Sequence, residues 1–107
     1  MKGLTQRRKG FEAEFERNQE LRFRVTARRN RLFGLWVAKW LGLLAGEEAE
    51  AYAKTVVAAD FEAPGDADVI EKVRTDLVKA GVAVTERELR AELERAAAEA
   101  RRQLAQC

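Results

Sequence analysis

The stretch that decides the fold is Leu32-Phe33-Gly34-Leu35-Trp36-Val37-Ala38-Lys39-Trp40-Leu41-Gly42-Leu43-Leu44-Ala45, the most hydrophobic run of the chain. It contains one charged residue, Lys39, and is 14 residues long. A helix that crosses a bilayer needs about 20 predominantly apolar residues. The run is therefore predicted to form a helix buried inside a protein, with Trp36 and Trp40 as its anchors in the core.

Apolar residues continue upstream of this run at helical spacing. At about 100° per residue, one sector of a single helix contains the following apolar side chains: Phe11, Phe15, Val25, Leu32, Phe33, Trp36, Trp40 and Leu43. Asn18, Arg22 and Arg29 lie in the same sector, all before Leu32. Because a face that enters the protein's own core rarely carries two arginines, the sector is predicted to be core only from Leu32 onward.

The sign of the net charge also changes near residue 32. Residues 1–31 contain ten Lys or Arg and four Glu, a net charge of +6, whereas residues 32–107 contain ten basic and fourteen acidic residues, a net charge of −4. Basic residues at the start of a helix oppose its dipole, and an isolated helix of this length is marginally stable. We therefore expect a mobile basic N-terminal arm, residues 1–20, that is helical when bound, with its binding surface continuing to about residue 31, and a body formed by residues 21–107.

Three more helices are predicted downstream. The second runs from about Glu47 to Phe61 and stops before Ala63-Pro64-Gly65, and the third begins after Asp66 as its N-cap and ends at Gly81. The fourth begins at a capping box formed by Thr85 and Glu88. The buried face of the third helix is predicted to consist of Val69, Ile70, Val73, Leu77 and Val78. The fold class is all-α, an antiparallel four-helix bundle with a flexible or frayed N-terminal arm.

Residues that carry catalysis or bind metals are scarce. The chain has no histidine, and Cys107, its single cysteine, is the last residue, which indicates a reducing compartment. No phosphate-binding glycine loop or nucleophile motif occurs. Acidic residues surround the Pro-Gly turn, but their spacing does not match a calcium-binding loop: Asp60, Glu62, Asp66 and Asp68. We predict no catalytic residues, no metal, no cofactor and no enzymatic activity.

Several stretches resemble one protein family when they are taken in order. They are residues 23–30 (FRVTARRN), 32–36 (LFGLW), 49–54 (AEAYAK), 59–62 (ADFE) and 64–69 (PGDADV). The chain resembles, from Phe11 to about Leu104, the zeta subunit of the F-type ATP synthase, a family known mainly from alphaproteobacteria. The resemblance implies a four-helix body and an N-terminal inhibitory segment.

The resemblance also implies how the family acts. The inhibitory segment folds as a helix into a catalytic interface between the alpha and beta subunits of F1, with the gamma subunit as a further partner, and blocks ATP hydrolysis. We accordingly expect a protein that is monomeric when free and cytoplasmic, associated peripherally with the inner membrane through the ATP synthase. We expect no nucleic-acid partner and no stable membrane insertion.

The residues of the basic segment have chemistry that fits a helix bound in a protein groove. Four are expected to be apolar anchors: Phe11, Phe15, Leu21 and Val25. Five are expected to meet carboxylates of the partner: Arg17, Arg22, Arg24, Arg28 and Arg29. Asn18 lies in the same sector and completes the predicted partner-binding set.

Other interpretations of the same residues stay open at this point. The main alternative is a small helical sensor whose bundle binds an adenine nucleotide or another metabolite. A basic segment with phenylalanines could also neutralise nucleic-acid phosphates, although four interleaved glutamates weaken that interpretation. A basic amphipathic helix could lie on an anionic membrane surface. Residues 11–31 could, finally, extend the first helix with a purely structural role.

Overall fold

The computed structural model describes the backbone of residues 2–43, 46–62 and 65–105, and the side chains of residues 18–43, 46–60 and 65–105. Four α-helices account for almost all of this backbone, and no strand occurs within it. They are α1 (Lys2–Trp40), α2 (Gly46–Glu62), α3 (Asp66–Lys79) and α4 (Glu86–Ala105). The predicted all-α fold class is confirmed.

Consecutive helices run antiparallel because the connections between them are short. In α1 and α2, Arg31 pairs with Glu50 near the start of α2, whereas Phe23 lies beside Asp60 near its end. In α1 and α4 the order is also reversed, since Leu21 lies beside Leu104 and Arg29 lies beside Leu93. The helix α1 packs most extensively against α2 and α4, so it is the central element of a four-helix bundle.

The two described glycine turns at helix ends have the same hydrogen-bond pattern. At the end of α1, Gly42 has φ 86° and the Leu43 amide donates to the Ala38 carbonyl at 2.8 Å. At the end of α3, Gly81 has φ 77° and the Val82 amide donates to the Leu77 carbonyl at 2.9 Å. In such a turn, the left-handed glycine lets the amides that follow the helix donate to carbonyls of its last turn, which otherwise have no partner within the helix. The predicted end of the third helix at Gly81 is therefore confirmed.

The core lies between all four helices and is built from small and medium apolar side chains. Its buried members are Phe33, Val37, Val56, Val69, Ile70, Val73, Leu77, Leu89, Leu93 and Ala96. Phe33 stacks on the half-buried Trp36, with ring centroids 6.1 Å apart. Within this set, α3 and α4 each contribute aliphatic residues at i, i+3/i+4 spacing, as expected for helices buried on one stripe.

Three details of the sequence-based prediction are wrong. Trp40 is 52% exposed, because it is the last residue of α1 and the chain turns away there. Val78 is 66% exposed, because it lies about 100° around α3 from the buried Leu77. Asp66 is the first residue of α3 and not its N-cap; the N-cap is Gly65, with no side-chain capping bond.

No helix in the described part of the chain combines the length and apolarity needed to span a bilayer.

Candidate partner-binding surface

The helix α1 leaves the body at about residue 25. Every side chain from Asn18 to Arg24 is exposed, those of Val25 to Ala27 are half-buried, and Asn30 is 1% exposed. Two large apolar side chains are among the exposed ones: Leu21 at 50% and Phe23 at 57%. This stretch is apolar and basic at once, which is typical of a surface that meets another molecule.

The predicted partner-binding residues divide into three groups. Phe11, Phe15 and Arg17 lie outside the described side chains. Five are exposed on α1: Asn18, Leu21, Arg22, Arg24 and Arg28. Val25 is half-buried, and the Arg29 side chain is only 12% exposed. The exposed group is accessible to a partner without any change in the body.

A groove separates α1 from the last turn of α4. It encloses about 500 Å³ and is lined by Leu21, Arg22, Val25 and Thr26 of α1 together with Arg101, Leu104 and Ala105 of α4. Its floor is aliphatic and its charged side chains are arginines. Three residues of the predicted partner-binding set line its α1 side: Leu21, Arg22 and Val25. The α4 side was not predicted, because no local pattern places Arg101 or Leu104 beside Leu21.

The arginines of α1 differ in what they contact. Arg24 pairs with Glu20 at 2.8 Å and Arg31 with Glu50 at 2.6 Å, and Arg28 donates to the Gln103 side chain at 3.1 Å. Arg22, which lines the groove, makes no ion pair with any described residue, and the same is true of Arg101. The groove therefore carries two guanidinium groups that the described part of the body does not neutralise.

Arg29 has a structural position within the body. Its guanidinium donates to the Asp66 carboxylate at 2.9 Å and, through Nε and Nη2, to the buried Asn30 side-chain oxygen at 3.1 and 2.9 Å. The Asn30 Nδ2 has no hydrogen-bond partner among the described residues. It borders a cavity of about 30 Å³ also lined by Phe23, Thr26 and Asp60. That volume suits one water molecule.

A polar cluster on α2 and α3 was not predicted. Tyr52 donates to the Asp76 carboxylate at 2.8 Å, and the Lys72 ammonium donates to it at 2.9 Å. Burial, followed by the hydrogen bond and the charge of Asp76, raises the pKa of Tyr52 far above its usual value. Burial opposes ionisation of Asp76, but the hydrogen bonds from Lys72 and Tyr52 outweigh it and lower the pKa of that carboxyl. The pairing of Lys72 and Asp76 at i,i+4 was the one signal in the sequence.

A second groove lies beside this cluster. It encloses about 720 Å³ between α2 and α3, and its charged lining consists of Asp68, Glu71, Asp76 and Lys72. Three carboxylates outnumber one ammonium, which is itself bonded to Asp76. This charge repels phosphate groups, so the groove does not favour an adenine nucleotide.

Metal-binding clusters are absent from the part of the chain that the structure describes. No group of three or more His, Cys, Asp or Glu residues there is arranged so that it could hold a metal ion. Asp66, one of the acidic residues near the Pro-Gly turn, instead accepts a hydrogen bond from Arg29. The Glu62 side chain and Cys107 lie outside the described residues.

Comparisons with known proteins identify the family. The family model of the ATPase inhibitor subunit zeta matches residues 1–103. A protein with a structure determined by solution NMR is 48% identical, with 80% of this chain and 96% of that chain covered and a TM-score of 0.71. The search of curated proteins gave no match. Because the family model matches nearly the whole chain, the protein belongs to the ATPase inhibitor subunit zeta family, whose members are regulatory and not catalytic subunits.

Proposed function

We propose that this protein inhibits the F1Fo-ATP synthase by inserting its N-terminal segment as a helix into an alpha/beta catalytic interface of F1, where it blocks ATP hydrolysis. The observation that carries the proposal is the family match over residues 1–103. The division into an inhibitory arm, residues 1–20, and a body, residues 21–107, belongs to this proposal, as does contact with the gamma subunit.

The geometry of α1 supports an inserted helix. The backbone of α1 is one helix of 39 residues, and its described side chains before Val25 are exposed, so α2, α3 and α4 leave this end of α1 available. A helix bound in a groove anchors apolar side chains one or two turns apart. Leu21 and Val25 have that spacing, and Phe11 and Phe15 repeat it upstream.

The charges of the same segment support a partner that carries carboxylates. Arg22 and Arg24 are exposed, and Arg22 has no ion pair with a described residue. The Arg24–Glu20 pair is exposed on both sides, so it contributes little to folding and is readily exchanged for a carboxylate of a partner. Complementary charges of this kind speed association and fix the orientation of the bound segment.

ATP hydrolysis by purified F1 from the same source tests the proposal. The intact protein should inhibit hydrolysis. The double variant Phe11→Ser, Phe15→Ser should be a weaker inhibitor by a factor of about ten or more, since buried aromatic anchors dominate binding energy. A matched control is Val78→Ser, which changes an apolar side chain that is 66% exposed on α3 and should inhibit normally. An intact protein that neither binds nor inhibits F1 would show the proposal to be wrong.

The main alternative, a sensor of adenine nucleotides, has no observation in its favour. The groove between α2 and α3 has a lining with three carboxylates and one ammonium, which opposes binding of phosphates. Shifts of amide resonances in α2 and α3 on addition of ATP would favour the sensor over the inhibitor.

A further inference from the structure

We infer that α4 takes part in docking: the groove between α1 and the end of α4 binds an acidic helix with an apolar face, contributed by the same F1 partner. The groove is defined by Leu21, Arg22, Val25, Thr26, Arg101, Leu104 and Ala105. This inference rests on the proposed function and adds to it a contact made by α4, beside the α1 residues that the proposed function already assigns to F1.

The lengths of α1 and α4 indicate where a partner helix fits. The helix α4 packs antiparallel on α1 and ends at Ala105, beside Leu21. The helix α1 continues from there to Lys2, which at a rise of 1.5 Å per residue extends it by about 28 Å. A partner helix could pack along this extension of α1, in line with α4. The groove lies where such a helix would approach the last turn of α4.

The floor of the groove supplies apolar contact area. Leu21 is 50% exposed, and Val25 and Leu104 are half-buried at its base. An apolar face on the partner would bury them, as the rest of the bundle buries Leu93 and Ala100 of α4.

The charge of the groove selects an acidic partner. Arg22 and Arg101 line it from opposite helices, and neither has an ion pair with a described residue. The described lining residues include no Asp or Glu. Guanidinium groups bind carboxylates with two parallel hydrogen bonds, so two arginines at the edge of an apolar floor recognise acidic side chains that flank an apolar stripe.

The same charges disfavour a second copy of the chain as the occupant. A symmetric dimer through this groove would bring Arg22 and Arg101 of both copies together, and like charges across an interface are destabilising. A helix of F1 with Asp or Glu beside its apolar face has no such penalty, and it adjoins the surface that holds the inhibitory arm.

Charge reversal on α4, far from the arm in sequence, separates the groove from the arm. We would measure binding to purified F1 and inhibition of its ATP hydrolysis for Arg101→Glu and for the control Arg87→Glu. Arg87 is also exposed on α4 and lacks an ion pair with a described residue, but it lies at the opposite end of the helix. Arg101→Glu should weaken binding about tenfold and Arg87→Glu should leave it unchanged.

A second pair of variants keeps the test decisive if Arg101→Glu loses its fold by circular dichroism. Ala105→Glu places a carboxylate in the groove from the α4 side and should also weaken binding, and Ala91→Glu, exposed on α4 but far from the groove, is its control. Equal binding of wild type and groove variants to F1 overturns the inference, although inhibition by the wild type would still support the proposed function. Failure of the wild type to bind F1 overturns both. Loss of binding to anionic vesicles, with F1 binding intact, would identify a lipid surface and also overturn the inference.

Discussion

At the residue scale, Gly34 shows how a single position sets the distance between two helices. A Cβ atom on Gly34 would lie 2.8 Å from the Ala53 Cα and 3.2 Å from the Val56 Cγ2. The first distance is to backbone, so relief requires movement of α2 as a whole. The close crossing of α1 and α2 therefore depends on the missing side chain.

Gly34→Ala is expected to destabilise the bundle by about 1–2 kcal/mol, since overpacking at a tight contact outweighs the gain in helix propensity. Urea unfolding followed by circular dichroism measures the change. Two effects of opposite sign compete here. A stabilisation of about 1 kcal/mol would mean that propensity decides and that the crossing is looser than these distances indicate.

Tyr52 gives a second test at this scale, because it is the single tyrosine of the chain and its titration can be followed alone. Burial and the bond to Asp76 raise its pKa, so its ionisation should begin well above the usual midpoint of about 10. Folded-state stability should then fall as pH rises above that midpoint, since the unfolded chain loses its proton first. Tyrosinate absorbance measures the titration.

The variant Asp76→Asn is the control for Tyr52. It removes the charge and keeps a side-chain acceptor, so the midpoint of Tyr52 should decrease but stay above the usual value, because burial is the largest cause of the shift. A Tyr52 midpoint in the native protein equal to that in denaturant would contradict the buried position beside Asp76.

At the element scale, the ends of helices are largely readable from local sequence. The start of α4 is capped by Thr85, whose hydroxyl accepts the Glu88 amide at 3.1 Å. Gly81 was correctly placed after α3, since a left-handed residue there strongly favours glycine. The start of α3 was assigned wrongly because Asp66 has a more distant partner, Arg29, which a local rule does not detect.

Thr85→Ala is expected to destabilise the protein by about 1 kcal/mol, because it leaves an amide of the first turn of α4 without its acceptor. Thr75→Ala is the matched control: Thr75 is exposed in the interior of α3, where alanine favours the helix, so this variant should be neutral or slightly stabilising. Chemical unfolding of both variants measures the difference. Equal effects would contradict the cap.

At the scale of the whole molecule, α1 serves both the body and the proposed partner surface. Arg29 marks the transition between these roles, since it joins α1 to Asp66 at the start of α3 while the side chains from Asn18 to Arg24 are exposed. Sequence reasoning assigned Arg29 to the partner, and that role stays a prediction. Its bonds within the body show at least that it would have to leave Asp66 and Asn30 to contact F1.

A double-mutant cycle with Arg29→Ala and Asp66→Ala separates the two roles. A coupling free energy of unfolding of about 0.5–1 kcal/mol is expected, because the pair is exposed on the Asp66 side. Asp66→Ala alone should not weaken inhibition of F1 if Arg29 acts only within the body. Stronger inhibition by Asp66→Ala would instead indicate that Arg29, once released, contacts the partner.

The helices, their antiparallel order and the division of charge follow from the amino-acid sequence alone, because the spacing of apolar residues, caps and helix breakers act over a few residues. Which side chains of α1 are buried depends instead on how the helices pack. Trp40 lies in the apolar sector of α1, but it is exposed because α1 ends at that residue. The packing also brings Leu104 and Arg101 together with Leu21 in one groove. Such contacts depend on where separate helices stop relative to one another, and no local pattern encodes that distance.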